Sequence, residues 1–226
     1  MQARSDPARE VRMPAGDHHL VGDLVLPDAA VGLVLFAHGS GSGRHSSRNR
    51  RVARRLQDAG IATLLFDLLT PEEEEVDLQT RQHRFDIPLL TQRLQDATAW
   101  AAADPPLRGL AIGYFGASTG AAAALIAAAR LGRQISAVVS RGGRPDLAGP
   151  VVLAEVQAPT LLIVGSADPV VLQLNRHAGQ HLRVEHELKL VPGATHLFEE
   201  PGALDAVGEA AADWFATHMA RREQHA

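Results

Sequence analysis

Short apolar runs alternate with helix-forming segments from residue 20 onward, and this alternation limits the fold more than any other feature of the chain. Runs such as 31–37 and 160–164 contain almost no polar side chain. Strands that are covered on both faces have this composition, which is typical of a mostly parallel sheet. The pattern predicts an α/β fold with a doubly wound, mostly parallel sheet and helices on both faces.

The individual elements follow from the same pattern. Strands are expected at 18–26, 31–37, 61–66, 110–115, 137–139, 160–164 and 183–191, the first of them antiparallel and near an edge. Helices are expected at 48–59, 86–103, 118–131 and 201–219, where glycine or proline follows three of the four. The connection 67–82 carries four successive glutamates, which are typical of a solvated loop or a helix start.

Size and composition narrow the function classes. A chain of 226 residues suits a single domain, 1–226, of which 1–16 is expected to be a flexible N-terminal segment. The net charge of −4 argues against a nucleic-acid partner. The absence of cysteine excludes disulfides and thiolate chemistry, and without a His-Glu-x-x-His pattern we expect neither a metal nor another cofactor.

No membrane association is expected either. Residues 1–16 lack the apolar stretch of a signal peptide. The uncharged segment 109–129 has the length of a membrane span, but its glycines favour a strand, a turn and a helix. A cytoplasmic protein is therefore expected, and a homodimer is left open.

The candidate nucleophile is Ser118, in the sequence Gly116-Ala117-Ser118-Thr119-Gly120. In an open parallel sheet the ligand site lies beyond the carboxyl ends of the strands, and Ser118 follows the strand 110–115. The motif alone is equally compatible with a tight turn whose serine caps the next helix. Its position between a buried strand and a buried helix favours the nucleophile.

A serine nucleophile needs a base and an acid that orients the base. Asp168 and His196 each follow a predicted strand, and the order Ser118, Asp168, His196 is the one that this type of sheet uses. Asp168 followed by proline would also serve as a helix N-cap. Asp146 is a rival for the role of the acid because it too lies beyond a strand end.

The glycine-rich loop after the strand 31–37 is the candidate oxyanion hole. We assign its first backbone donor to Ser40, with Gly39 as the fallback, and the second to Thr119, the residue after the nucleophile. A phosphate-binding loop is the alternative, but the glycine spacing fits neither the dinucleotide pattern nor the Gly-x-x-x-x-Gly-Lys loop.

On these residues the chain resembles the α/β-hydrolases, and among them the dienelactone hydrolase-like group. The resemblance covers about residue 20 to the C-terminus and rests on His38-Gly39-Ser40, the Ser118 motif, Asp168-Pro169-Val170-Val171 and Gly193-Ala194-Thr195-His196. It implies an α/β-hydrolase fold, with Ser118 as nucleophile, His196 as general base and Asp168 as its orienting partner. The enzyme that names the group has a cysteine nucleophile, so serine favours a general carboxylic-ester hydrolase over dienelactone chemistry.

The expected partner is a small-molecule ester. Only about twenty residues separate the strands near 139 and 160, which leaves no room for a large lid and favours small or exposed substrates. Arg44, His45, Arg48 and Arg141 are candidates for binding a substrate carboxylate or phosphate, unless they pair with acids such as Asp67 and Asp146. Acyl transfer, thioester or peptide cleavage by the same triad, and a non-catalytic binding domain, are the alternative functions.

Overall fold

The computed structural model describes residues 7–219 and contains one eight-stranded sheet. The strands are β1 (Arg9–Ala15), β2 (His18–Val25), β3 (Gly32–Ala37), β4 (Ala62–Phe66), β5 (Ala111–Ala117), β6 (Ile135–Arg141), β7 (Thr160–Gly165) and β8 (His186–Val191). Their order in the sheet is β1-β2-β4-β3-β5-β6-β7-β8. β2 is antiparallel to both of its neighbours, and every pair from β4 to β8 is parallel. The predicted α/β architecture is confirmed.

Helices cover both faces of this sheet. They are α1 (Ser47–Asp58), α2 (Pro71–Thr80), α3 (Ile87–Ala103), α4 (Thr119–Leu131), α5 (Pro150–Glu155), α6 (Pro169–Gly179) and α7 (Ala203–Met219). The alternation along β3 divides the core: Leu33 and Leu35 pack on the face of α3 to α6, whereas Val34 and Phe36 pack on the face of α1 and α7. Each apolar run therefore contributes side chains to the hydrophobic layers on both faces of the sheet.

The N-terminal segment corrects one expectation. Residues 9–15 are not flexible, because they form β1 and pair with β2 along its length. Val11, Met13 and Ala15 alternate with exposed residues and are buried on one face, which is the pattern of a half-buried edge strand. Residues 1–6, to which the same expectation applied, lie outside the described part.

The acidic connection after β4 is a helix start, the second of the two predicted alternatives. Thr70 caps α2 by accepting the N–H of Glu73, and the Glu73 carboxylate accepts the N–H of Thr70. Three glutamates in the first turn also suit the positive end of the helix dipole. Between β6 and β7 the chain forms only a short 3₁₀ turn, Pro145–Ala148, and the six-residue α5.

Within residues 7–219, no helix has both the length and the apolar character that crossing a membrane requires.

Candidate active site

Ser118 occupies a strained turn between β5 and α4. Its φ of 50° and ψ of −121° lie in a region that costs a non-glycine residue about 1–3 kcal/mol. The end of β6 holds this turn: Ser118 N–H donates to the Arg141 carbonyl at 3.3 Å, and the Ser118 carbonyl accepts the N–H of Arg144 at 3.0 Å. The backbone is thus fixed in the conformation that exposes a side chain at the carboxyl edge of the sheet.

The two glycines of the motif allow a close approach on both sides of this turn. A Cβ atom on Gly120 would overlap the carbonyl oxygen of Ala37 at the end of β3. A Cβ atom on Gly116 would overlap the backbone of Ala121 in α4. Any larger residue at either position would push α4 away from the strands and move Ser118.

His196 and Asp168 form a hydrogen-bonded pair. The Nδ1 atom of His196 lies 2.8 Å from Oδ2 of Asp168, whose side chain is 14% exposed. The other oxygen, Oδ1, accepts the N–H of Val171 at 3.3 Å and so caps α6. The helix-capping role and the contact with the histidine, which the sequence allowed together, are both filled by one carboxylate. With a proton on Nδ1, the bond leaves Nε2 of His196 free to accept a proton.

The rival acid is engaged elsewhere. Arg144 Nε and Nη2 each lie 2.8 Å from a different carboxylate oxygen of Asp146. This hydrogen-bonded pairing raises the pKa of Arg144. Within residues 7–219 it is therefore Asp168, and not Asp146, that contacts His196.

His38 anchors the loop that follows β3. Its ring is buried, with Nδ1 3.0 Å from the Gly39 carbonyl and Nε2 3.0 Å from the backbone nitrogen of Leu68. Nε2 must accept the Leu68 N–H, so the proton of the neutral ring lies on Nδ1. Burial lowers the pKa of His38, an effect that the bond to Gly39 partly opposes. This anchoring role was not predicted, although the position directly after a buried strand was a signal for it.

The predicted oxyanion residues lie beside the nucleophile. The N–H of Ser40 donates to the hydroxyl oxygen of Thr119 at 3.1 Å, so this predicted donor is already engaged. A Cβ atom on Gly39, the fallback, would lie 3.1 Å from the Cβ of Ser118. The loop after β3 and the N-terminus of α4 therefore meet at Ser118.

A cavity of about 230 Å³, open to solvent, joins these groups; we call it the Ser118 cavity. Its lining consists of Gly39, Ser40, Ser42, Arg48, Ala117, Ser118, Arg141, Gly142, His196 and Leu197. Ser118 and His196 thus face one space, behind which Asp168 lies. Within the described residues, no group of three or more potential metal ligands is found.

The predicted substrate-binding set divides into two parts. Arg48 and Arg141 line the Ser118 cavity. Arg44 instead pairs with carboxylates, as the alternative interpretation foresaw, and His45 lies against the side chain of Arg50. The expectation for Arg44 and His45 is therefore corrected: strands β1 and β2 bring acids to this side of the loop that sequence proximity did not reveal.

Arg141 is the most unusual charge in the cavity. Its side chain ends β6 and is buried, and burial followed by repulsion from Arg48 lowers its pKa to about 10. Nη2 donates weakly to Oδ1 of Asn49 at 3.4 Å, and the ring of Phe198 lies 5.7 Å from the guanidinium carbon. Sequence reasoning missed Asn49 and Phe198, since neither stands in a motif.

The chain is similar to a known protein family and to solved structures. The model of the dienelactone hydrolase family matches residues 22–221. A crystal structure of a dienelactone hydrolase from Anabaena variabilis is 54% identical, with a TM-score of 0.93, and the match covers 95% of this chain and 99% of that one. Est1E from Butyrivibrio proteoclasticus shares the fold, at 16% identity and a TM-score of 0.79 over 94% of this chain and 99% of that one.

A curated relative from Mycobacterium tuberculosis carries a different kind of name. It is called "Putative phosphoribosyl transferase" and is 55% identical over 222 residues, which are 97% of this chain and 49% of the relative. The chain therefore spans about half the length of the curated relatives it matches.

Proposed function

The chain belongs to the dienelactone hydrolase family, and we propose that it is a serine hydrolase that cleaves carboxylic esters of small or exposed substrates. Ser118, His196 and Asp168 are the catalytic residues in this proposal. One observation carries it: a serine with a strained backbone shares a cavity with a histidine that is hydrogen-bonded to a partly buried carboxylate. A serine at a tight turn without catalytic function would need neither of these partners.

The first half of the reaction forms an acyl-enzyme. Ser118 Oγ attacks the ester carbonyl carbon while His196 Nε2 accepts the hydroxyl proton, and the bond to Asp168 stabilises the imidazolium that results. The backbone N–H groups of Thr119 and of Ser40 or Gly39 stabilise the negative oxygen of the tetrahedral intermediate. When the C–O bond to the leaving group breaks, His196 returns its proton to the departing alcohol.

The second half repeats these steps with water. His196 removes a proton from a water molecule that attacks the acyl carbon, and the acid is released as Ser118 recovers its proton. For the Ser40 N–H to serve as a donor, the Thr119 hydroxyl that now accepts it must share or release this bond. Acyl transfer would differ only in the second nucleophile, so product analysis with competing alcohols or thiols distinguishes the two reactions.

The size of the cavity and the short β6–β7 connection support small or exposed esters as substrates. A serine nucleophile favours general ester hydrolysis over the dienelactone reaction. Phosphoribosyl transfer is not proposed: the relative with that name is about twice as long, and the family match at 22–221 accounts for nearly all that this chain shares with it.

The test is acylation of Ser118. A p-nitrophenyl ester of a short acid should give a burst of p-nitrophenol, and an organophosphonate should label Ser118, as mass spectrometry of the peptide would show. Ser118→Ala should abolish both while leaving the fold intact by circular dichroism. Folded wild-type protein that is neither acylated nor labelled would remove the proposal in favour of a non-catalytic domain.

A further inference from the structure

The strand β8 forms one edge of the sheet, and its outer side is open to solvent. Within residues 7–219, β8 pairs with β7 alone and is the last strand in the sheet order. Most of its residues are exposed, and of the strand itself only Val191 is buried. The opposite edge differs, because β1 carries Pro14, which has no N–H to offer a further strand. An edge strand that is neither covered nor blocked can pair with another chain.

The backbone of β8 determines which of its residues could bond to a further strand. Thr160 N–H donates to the carbonyl of Glu185 at 3.0 Å, and Ser166 N–H donates to the carbonyl of Val191, also at 3.0 Å. Since the bonding groups of a strand alternate between its two sides, the odd-numbered residues of this stretch bond to β7. The residues whose N–H and C=O groups point outward are the even-numbered His186, Leu188 and Leu190. Each of them offers one donor and one acceptor to a partner strand.

Two opposite charges lie on one face of β8. Glu187 and Lys189 are two residues apart, and both line the groove between β8 and α7. Within residues 7–219 neither of them forms an ion pair, whereas the neighbouring Glu185 lies 3.8 Å from His218. Lys189 is also the only lysine of the sequence. A lysine on an edge strand usually keeps other strands away. With a glutamate two residues before it, however, this lysine forms half of a self-complementary pair.

A single antiparallel register places Glu187 opposite Lys189 of a second copy, and its two-fold axis passes through Leu188. An axis at Glu187 would instead set two glutamates opposite each other, and an axis at Lys189 would set two lysines opposite each other, which is destabilising. The register at Leu188 also uses every outward group of β8, because Leu188 lies opposite Leu188 and His186 lies opposite Leu190. Charge and backbone bonding therefore select the same pairing.

We propose that two copies of this chain pair through β8, antiparallel about Leu188, and so join their sheets into one. Hydrogen bonds between the outward groups, and a Glu187–Lys189 ion pair on either side of the axis, hold the two strands together. Because the strands are antiparallel, the carboxyl edges of the two sheets point in opposite directions. Each Ser118 cavity therefore stays open, and the pairing does not depend on the proposed ester hydrolysis. A strand pair buries less than the standard interface of about 1,600 Å², so the dimer should dissociate on dilution.

Charge reversal tests the register. In analytical ultracentrifugation of the wild type from about 1 to 200 µM, the sedimentation coefficient should rise from that of a monomer to that of a dimer. Glu187→Lys and Lys189→Glu each set like charges opposite each other, so each should raise the dissociation constant about tenfold to a hundredfold. An equimolar mixture of the two variants should dimerise like the wild type, because each supplies the charge that the other lacks. The double variant Glu187→Lys/Lys189→Glu should dimerise as well.

Cross-linking tests the position of the contact without any substitution. A carbodiimide joins a carboxylate to an amine and takes up the water that is lost. Because Lys189 is the only lysine, the cross-linked dimer should contain an amide between Lys189 Nζ and the Glu187 side chain of the other copy. Mass spectrometry of a mixture of isotope-labelled and unlabelled protein distinguishes this bond from one within a single chain. Glu75→Lys is the control for charge reversal, because Glu75 is an exposed residue of α2, and this variant should dimerise like the wild type.

Each outcome decides the pairing independently of the proposed function. A wild type that stays monomeric over the whole concentration range would overturn it and leave Lys189 as a residue that keeps the edge unpaired. A dimer that both single variants form as readily as the wild type would place the contact on another surface and overturn it too. The cross-link decides the proposal even if a charge reversal disturbs β8. Labelling of Ser118 by an organophosphonate is measured separately and should be the same in all of these proteins.

Discussion

Arg44, in the loop after β3, and Arg48, in the first turn of α1, stand four residues apart, yet their surroundings differ. Arg44 lies within 3.0 to 3.3 Å of carboxylate oxygens from Glu10, Asp23 and Asp67, which we call the Arg44 cluster. Arg48 lines the Ser118 cavity together with Arg141, and its carboxylate partner, Glu199 at 3.7 Å, is 67% exposed. Arg44 is surrounded by three carboxylates, whereas Arg48 has one distant and exposed carboxylate partner.

The difference shows that position along the chain does not decide what a charged side chain does. The acids of the Arg44 cluster come from β1, β2 and the end of β4, so Arg44 ties the N-terminal hairpin to the loop after β3. The Ser118 cavity receives no acid from any of these elements. Charges paired inside the fold should therefore affect stability, and charges facing the cavity should affect catalysis.

The largest expected effect is on kcat, and it should distinguish Asp168 from Asp146, the two acids that follow strands. Asp168→Asn removes the charge behind His196 and should lower kcat by about 10³- to 10⁴-fold. Asp146→Asn removes only the partner of Arg144, and kcat should stay within about threefold of the wild type because the pair is partly exposed. Steady-state hydrolysis of a neutral p-nitrophenyl ester measures both. Full activity in Asp168→Asn would contradict the assignment of the acid.

The second effect is on the free energy of unfolding, and it should differ between Arg44 and Arg141. Arg44→Met leaves three carboxylates without their shared cation and should lower the free energy of unfolding by about 1–3 kcal/mol. Arg141→Met removes a buried, unneutralised charge, so the free energy of unfolding should stay the same or rise. Urea unfolding followed by circular dichroism measures each. A loss in Arg141→Met as large as that in Arg44→Met would mean that both arginines are structural.

The Arg44 cluster and the Ser118 cavity also show how much of the structure could be predicted from the sequence. Buried runs and strand-end positions predicted the sheet, and they identified Ser118, Asp168 and His196, because a parallel sheet brings such positions to one edge. Arg44 and Arg48 could not be told apart, since their partners come from β1, β2 and β6. β1 itself was missed: its alternation of apolar and polar residues is short, and it pairs with only one strand.

His38 links the two regions, because its ring holds the start of the loop that carries Arg44 and leads into α1, where Arg48 lies. Burial lowers the pKa of His38 below 6.5, so between the two values the unfolded chain binds a proton that the folded protein does not. The stability that the neutral ring contributes is therefore complete above pH 6.5 and is lost as the pH falls toward the folded-state pKa. In His38→Gln this part of the pH dependence should disappear.

Urea unfolding of the wild type and His38→Gln at a series of pH values from 7.5 downward tests this, and the difference between the two curves isolates the histidine. A difference that stays constant with pH would show that His38 does not titrate in this range. Activity on a neutral ester should fall only as the pH approaches the lowered pKa of His38 in the folded protein, because protonation breaks the bond from Leu68 and frees the loop that holds the predicted oxyanion donors.

The smallest effect is that of salt on substrate binding. Charges in solvent are screened over about 10 Å at 0.1 M ionic strength, and the Ser118 cavity is open to solvent. Raising sodium chloride should therefore increase KM for mono-p-nitrophenyl terephthalate, whose carboxylate cannot reach its own ester, by about two- to threefold, with little change in kcat, while KM for its methyl ester stays constant. Arg48, whose side chain is 31% exposed, should account for more of this increase than the buried Arg141. The salt dependence should thus shrink in Arg48→Met, and an equal rise of KM for the neutral ester would attribute the effect to the Arg44 cluster and the fold instead.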